Sequence, residues 1–154
     1  MCSYPNKALS GVGVVYKFCL ILDRLLKKSY ANDYLDLVAL GMVADMMDLR
    51  SLETRYLTWA GMQQPRNPFI VGMMEKNEFK IQGQLTPFTV SWYIAPFVNA
   101  MCRSGNPSEK DILFRSMLEY EAGKLVPSTK RGGKGQEETV LTQALRTAGN
   151  VKNH

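Results

Sequence analysis

The stretch Tyr34-Leu35-Asp36-Leu37-Val38-Ala39-Leu40-Gly41-Met42-Val43-Ala44-Asp45 decides how this 154-residue chain is read. With Met46, Met47 and Leu49 behind it, the run is apolar nearly all round. A helix with no wet face has to be buried, so this one is expected at the centre of a domain and to run on to Leu49. Asp45 falls inside the run, where an ionised carboxylate is costly unless paired or metal-bound. Hard divalent cations take carboxylate oxygens, which makes Asp45 a candidate metal ligand. An ion pair with Lys or Arg, or bonds from backbone amides, would explain it equally well. Asp36 and Asp48 lie at the ends of the run, where capping and solvent account for them.

Ahead of the run, Ser10 is placed to cap a helix whose inward face is read as Val14, Val15, Phe18, Cys19, Leu22, Leu25 and Leu26, closed by Lys27-Lys28. Gly11 and Gly13 lack the third glycine and the Lys-Ser/Thr of a phosphate loop, so close backbone packing is the better account. Behind the run, Leu52, Tyr56, Trp59 and Ala60 share a helix face that Gly61 and Pro65 terminate. Asn67-Pro68 reads as a cap and first turn for a short helix through Ile70, Met73 and Met74. Phe88, Val90, Trp92 and Ile94 alternate with Thr89, Ser91 and Tyr93, which predicts a strand. Asn106-Pro107-Ser108 starts a further helix with Ile112, Leu113, Met117 and Leu118 facing in. The last helix carries Val140, Leu141, Ala144, Leu145 and Ala148, with Gly149 as its stop.

Composition narrows the chemistry. Hydrophobic residues are 45% and charged residues 21%, ordinary for one core-forming domain. The three cysteines, Cys2, Cys19 and Cys102, form no C-x-x-C pair, and the apolar settings of Cys19 and Cys102 suit reduced, buried thiols. His154 is the single histidine, which excludes histidine-based nucleophilic triads and a His-rich metal cage. The longest charge-free stretch, Ile81 to Cys102, is interrupted by Gln82, Gln84, Pro87, Pro96 and Asn99, so no membrane span is expected. Residues 124–154 hold six Lys or Arg against two Glu, while the preceding 123 residues hold thirteen against twelve acids. The basicity of the chain, +5 in all, is therefore concentrated in its C-terminal fifth, which suits a local polyanion contact.

Two further constellations carry chemistry. Pro96 to Gly105 is read as a small, mostly apolar turn that delivers Asn99 and Arg103; the guanidinium fork suits phosphate oxygens. The bland alternative is that Asn99 bonds neighbouring backbone and Arg103 pairs with a helix carboxylate. In Pro127 to Gln136, Lys130, Arg131 and Lys134 stand among three glycines and two hydroxyls, a composition able to follow a nucleic-acid backbone. No aromatic is interleaved there, so base stacking is not supported in that loop, and a mobile surface loop is the alternative.

Four landmarks in order make the sequence resemble a known family. The central run closely resembles the L-D-L-V-A-L-G-T-V-A-D motif of RecJ-type single-strand-specific DNA exonucleases, members of the DHH phosphoesterase superfamily. Ser10 to Phe18 is similar to that family's G-V-G-V-A-F-K helix start, Glu53-Thr54-Arg55 to its E-N-R, and Ala95 to Gly105 to its G-P-R-I-N-A-A-G-R-L-G. The segment from Lys124 onward resembles phage-type members. The resemblance implies an α/β parent fold, the DHH phosphoesterase domain. Residues 1–105 would be the C-terminal half of that catalytic domain, and residues 106–154 a helical lead-out with a basic loop towards a DHHA1 domain. This piece is expected to be mainly α-helical with a short strand or hairpin near 79–95.

The resemblance further implies 5′-to-3′ exonuclease action on single-stranded DNA with Mn2+ or Mg2+, in DNA repair or recombination, in the cytoplasm of a bacterial or phage-infected cell. Asp45 matches the family's last metal-binding aspartate, and Arg103 an arginine near the DNA path. The earlier D-x-D, a further aspartate and the D-H-H triplet are absent. Phe97 stands where arginine is expected beside Pro96, and Met46-Met47-Asp48 replaces V-V-P. The chain is therefore expected to be inactive alone, with an N-terminal DHH half or other replication and repair proteins as partners. A DHH phosphodiesterase acting on oligonucleotides or cyclic dinucleotides and a non-catalytic DNA-binding module are the alternatives.

Overall fold

The computed structural model describes residues 3–133 and 135–153, and these form two units. The first comprises residues up to Arg66 together with Gln84–Ala95; the second comprises Asn67–Gly83 and the residues from Pro96 onward.

In the first unit, α1 (Gly11–Leu26) leads through a 3-10 turn (Ala31–Tyr34) into α2 (Leu35–Ala44), followed by α3 (Leu52–Gln63). α2 is the central helix, packed against α1, α3 and the short α6 (Pro87–Tyr93). Val38, Ala39, Leu40 and Met42 are all buried, as a helix without a polar face requires. With Tyr16, Ala31 and Leu57, Val38 and Met42 make up the core of this unit. Two close approaches set its geometry. A Cβ on Gly13 would lie 2.3 Å from Met42 Cε, and one on Gly61 would lie 2.0 Å from the Leu35 carbonyl oxygen. Gly13 thus serves close packing, as its sequence context suggests. Gly61 lies inside α3 at its contact with α2 and does not end the helix.

The second unit contains α4 (Pro68–Lys76), α5 (Glu78–Ile81), α7 (Ala95–Ser104, apart from its first residue), α8 (Pro107–Ser116), α9 (Glu119–Ala122) and α10 (Val140–Asn153). Its interior is built from Phe69, Met73, Met101, Ile112, Val140 and Ala144, with α10 packed on α8 and α4. Asn67 caps α4 by accepting from the Phe69 N–H, and its amide donates to the Met117 carbonyl (2.8 Å). Asn106 and Glu109 form a reciprocal capping box at the start of α8, with Pro107 in the first turn. One antiparallel hairpin, β1 (Leu125–Pro127) paired with β2 (Glu137–Thr139), completes the unit.

The chain is thus mainly helical with one small hairpin, but several sequence expectations need correction. The strand expected near 79–95 is helix. Thr86 accepts from the Thr89 N–H, Thr89 bonds back to the Thr86 N–H, and Pro87 occupies the first turn. These cap signals outweigh the apparent alternation, and the exposed Phe88 and Trp92 are simply an i,i+4 pair with ring centroids 6.0 Å apart. The only strands among the described residues lie at the hairpin. The central helix ends at Ala44, not Leu49: Met46 turns left-handed (φ 52°), and the Met46 and Met47 N–H groups donate back to the Val43 and Met42 carbonyls. On α1, Val14, Val15, Phe18, Leu22, Leu25 and Leu26 face solvent, while Gly13 and Tyr16 are buried. The helix is apolar on both sides, so periodicity alone could not tell its inner face. On α3, Leu52, Tyr56 and Trp59 are exposed. Cys19 is half-buried and Cys102 exposed, both as free thiols. α10 runs past Gly149 to Asn153 because its inner stripe, Val140, Ala144 and Ala148, is held by α8 and α4. Among the described residues no helix is long and apolar enough to cross a membrane.

Candidate nucleic-acid interface

The basic loop is a built hairpin tip. At its base the Ser128 N–H donates to the Gln136 carbonyl (2.9 Å), and inside it the Gly133 N–H reaches the Lys130 carbonyl (2.9 Å). Gly132 and Gly135 take φ of 81° and 82°, conformations in which a side chain would be strained. The Glu138 carboxylate fastens this turn to α10, together with direct bonds from Gln143 Nε2 to the Pro127 carbonyl (3.1 Å) and from Arg146 Nη2 to Thr129 Oγ1 (2.9 Å). Glu138 Oε1 accepts from Ser128 Oγ (3.0 Å), the Thr129 N–H (3.2 Å), Gln143 Nε2 (3.1 Å) and Arg146 Nη2 (2.5 Å). Burial alone would raise the Glu138 carboxyl; the bonds from Arg146, Gln143 and Ser128 outweigh it and hold the group below its ordinary range. Lys130 and Arg131 project from this base into solvent. Lys134, the third cation of the loop, lies outside the described residues.

Asn99 and Arg103 lie on a helix, not the expected turn. They are four residues apart on α7 and so share a face, with Arg103 exposed in the last turn and Asn99 half-buried. Among the described residues neither is held by a hydrogen bond or an ion pair, so the bland explanation for each has no counterpart in the structure. The neighbouring Phe97 carries two cations that sequence reasoning missed. Lys152 Nζ stands 4.4 Å and Lys76 Nζ 5.9 Å from its ring centroid. Lys76 also donates to the Leu145 carbonyl (2.6 Å), and burial lowers its pKa. Positive charge therefore gathers at a ring that replaces an expected arginine. No sequence signal could have shown this, because the two lysines come from α4 and α10.

Asp45 belongs to the first unit, whereas Asn99, Arg103, Lys130 and Arg131 belong to the second. Asp45 caps the C-terminus of α2 and is exposed, so the burial penalty inferred from its sequence position does not arise. The buried acid of this region is Asp36, only 5% exposed, which accepts from the Leu37 and Arg66 N–H groups (2.8 Å each). Asp48 is exposed and pairs with Arg50 (2.9 Å). Among the described residues no three His, Cys, Asp or Glu side chains stand together as a metal-holding group. One exposed carboxylate does not hold a divalent ion. The described residues therefore do not fit a complete Mn2+ or Mg2+ centre. Glu53, within one of the sequence landmarks, is structural: it accepts from Tyr4 Oη (2.7 Å) and Asn6 Nδ2 (2.9 Å) and pairs with Lys17.

A helical scaffold that presents cations on a braced hairpin and around one aromatic ring can hold a polyanion. Comparison with known proteins gives the kinship. The chain is 38% identical over 154 residues to the SPbeta prophage-derived protein YorK of Bacillus subtilis, named as a single-strand DNA-specific exonuclease; the match covers 97% of this chain and 26% of that protein. It is 30% identical over 141 residues to the single-stranded-DNA-specific exonuclease RecJ of B. subtilis, covering 90% of this chain and 17% of RecJ. RecJ of Salmonella typhimurium is 33% identical over 117 residues, covering 66% of this chain and 20% of that protein. The chain is thus related in sequence to RecJ-type single-strand-specific exonucleases, and it spans about a quarter of the length of the YorK protein. No family model and no solved structure matches it.

Proposed function

We propose that this chain is a DNA-holding segment of a 5′-to-3′ single-strand-specific exonuclease of the DHH phosphoesterase type. The observation that carries this reading is the 38% identity to an exonuclease-named protein over 97% of the chain. In this reading Lys130 and Arg131 follow the phosphate backbone from the hairpin tip, and Lys134 adds a third cation from the same stretch of sequence. Arg103, with Asn99 beside it, contributes a further phosphate contact, and Lys76 and Lys152 supply charge at Phe97. Glu138 positions the first group by holding the loop to α10. Asp45 contributes one carboxylate to a Mn2+ or Mg2+ centre completed outside this chain. Its exposure at the end of α2 suits a ligand shared with another stretch of polypeptide. The segment by itself binds DNA without cleaving it.

The test replaces the matching segment of the SPbeta exonuclease YorK with this chain. The chimera is expected to release nucleotides from labelled single-stranded DNA in the presence of manganese. Asp45→Asn, which keeps shape and removes charge, is expected to abolish release with an unchanged melting temperature. A folded chimera that leaves single strands intact would overturn the proposal. A lowered melting temperature with turnover retained would make Asp45 a structural residue.

A further inference from the structure

We propose that the outer face of α1 is a docking seam for the part of the exonuclease outside this segment, a polypeptide presenting an apolar surface with an acidic border. The inference rests on the kinship with exonucleases and goes beyond it to a surface. α1 is sixteen residues long, and Val14, Phe18, Ile21, Leu22, Leu25 and Leu26 all stand exposed on it, Phe18 by 59% and Leu25 by 74%. A groove flanks the helix on each side. One, of about 470 Å³, is lined by Tyr4, Leu9, Val14, Phe18 and Ile21; the other, of about 220 Å³, by Val12, Val15, Tyr34 and Leu37. A ridge of large side chains between two apolar grooves is the relief into which another layer of structure packs. Folded proteins seldom leave so extensive an apolar surface to water.

Two observations select the occupant. The match to YorK runs through 97% of this chain, α1 included, yet covers only 26% of YorK. In that protein the helix has most of a longer polypeptide available to cover it. A second copy of this chain is poorly suited. Arg24, Lys27 and Lys28 cluster at the C-terminal end of α1. Parallel copies would set these cations against each other, and antiparallel copies would set them against the positive end of the partner helix dipole. An acidic border on a different polypeptide meets both conditions.

Cysteine footprinting tests this. Phe18→Cys and Leu25→Cys are introduced into the isolated chain and into the YorK chimera, and alkylation by iodoacetamide is followed at each peptide by mass spectrometry. Phe79→Cys in the isolated chain, at a residue 94% exposed, sets the rate of a free surface thiol. The α1 thiols should react at that rate in the isolated chain and at least tenfold more slowly in the chimera. Equal rates in the chimera would overturn the proposal, as would slowing in the isolated chain that grows with protein concentration, the mark of a second copy. Nuclease activity is read separately. A protected but inactive chimera would support the seam and sink the exonuclease reading; an active chimera with freely reacting thiols would do the reverse.

Discussion

Burial alone would raise the Glu53 carboxyl, but Lys17, Asn6 and Tyr4 bond to it and bring it from 4.5 down to about 2. A depressed carboxylate stabilises the fold above its unfolded pKa and loses that contribution as pH falls through the folded one. The melting temperature should therefore drop as pH is lowered from 4.5 towards 2, and Glu53→Gln should make that drop shallower; thermal melts across this window check it. Met46 occupies a left-handed position that glycine adopts without cost, and its side chain is exposed and packs on nothing that would be lost. Met46→Gly should stabilise the chain by roughly 0.5–1 kcal/mol in urea unfolding, the relief of backbone strain being partly offset by glycine's unfolded-state entropy.

At the scale of elements, the contact between α2 and α3 depends on the missing side chain of Gly61. Gly61→Ala forces a Cβ against the Leu35 carbonyl oxygen and should cost at least ~1–3 kcal/mol. Gly123→Ala meets nothing within 4 Å and should stay within about 0.5 kcal/mol of the parent; denaturant titration of the pair gives the contrast. The centrality of α2 was legible because a helix apolar all round has nowhere else to go. The caps at Asn67 and Asn106 were legible because each precedes a proline. The segment 86–95 misled because four apolar residues happen to alternate, while the Thr86-Pro87-Phe88-Thr89 cap is equally plain to read. The hairpin was hidden because three-residue strands, one ending in proline, are too short to show a period. The inner face of α1 could not be read because both of its faces are apolar. At the candidate site, the cations of the basic loop were visible in composition, but the Glu138 anchor and the lysines at Phe97 exist only through tertiary contacts. Asp45 lacks the burial that its place in an apolar run implies, and the family motif together with its exposure at the end of α2 recommends it as a ligand.

In the whole molecule, holding DNA and cutting it fall to different sets of residues. With Asp45 alone as a candidate ligand, the isolated chain incubated with labelled single-stranded DNA and manganese should release no nucleotides; release abolished by Asp45→Ala would reveal a site assembled within the chain. Holding is tested most directly by equilibrium binding of single-stranded DNA at several salt concentrations. Each phosphate neutralised on a single strand contributes ~0.7 to the slope of log K against log salt. Replacing Lys130, Arg131 and Lys134 together by Ala should reduce that slope by roughly two units, with little dependence on DNA sequence. An unchanged slope in the triple variant would contradict the account and leave the hairpin without a part in binding.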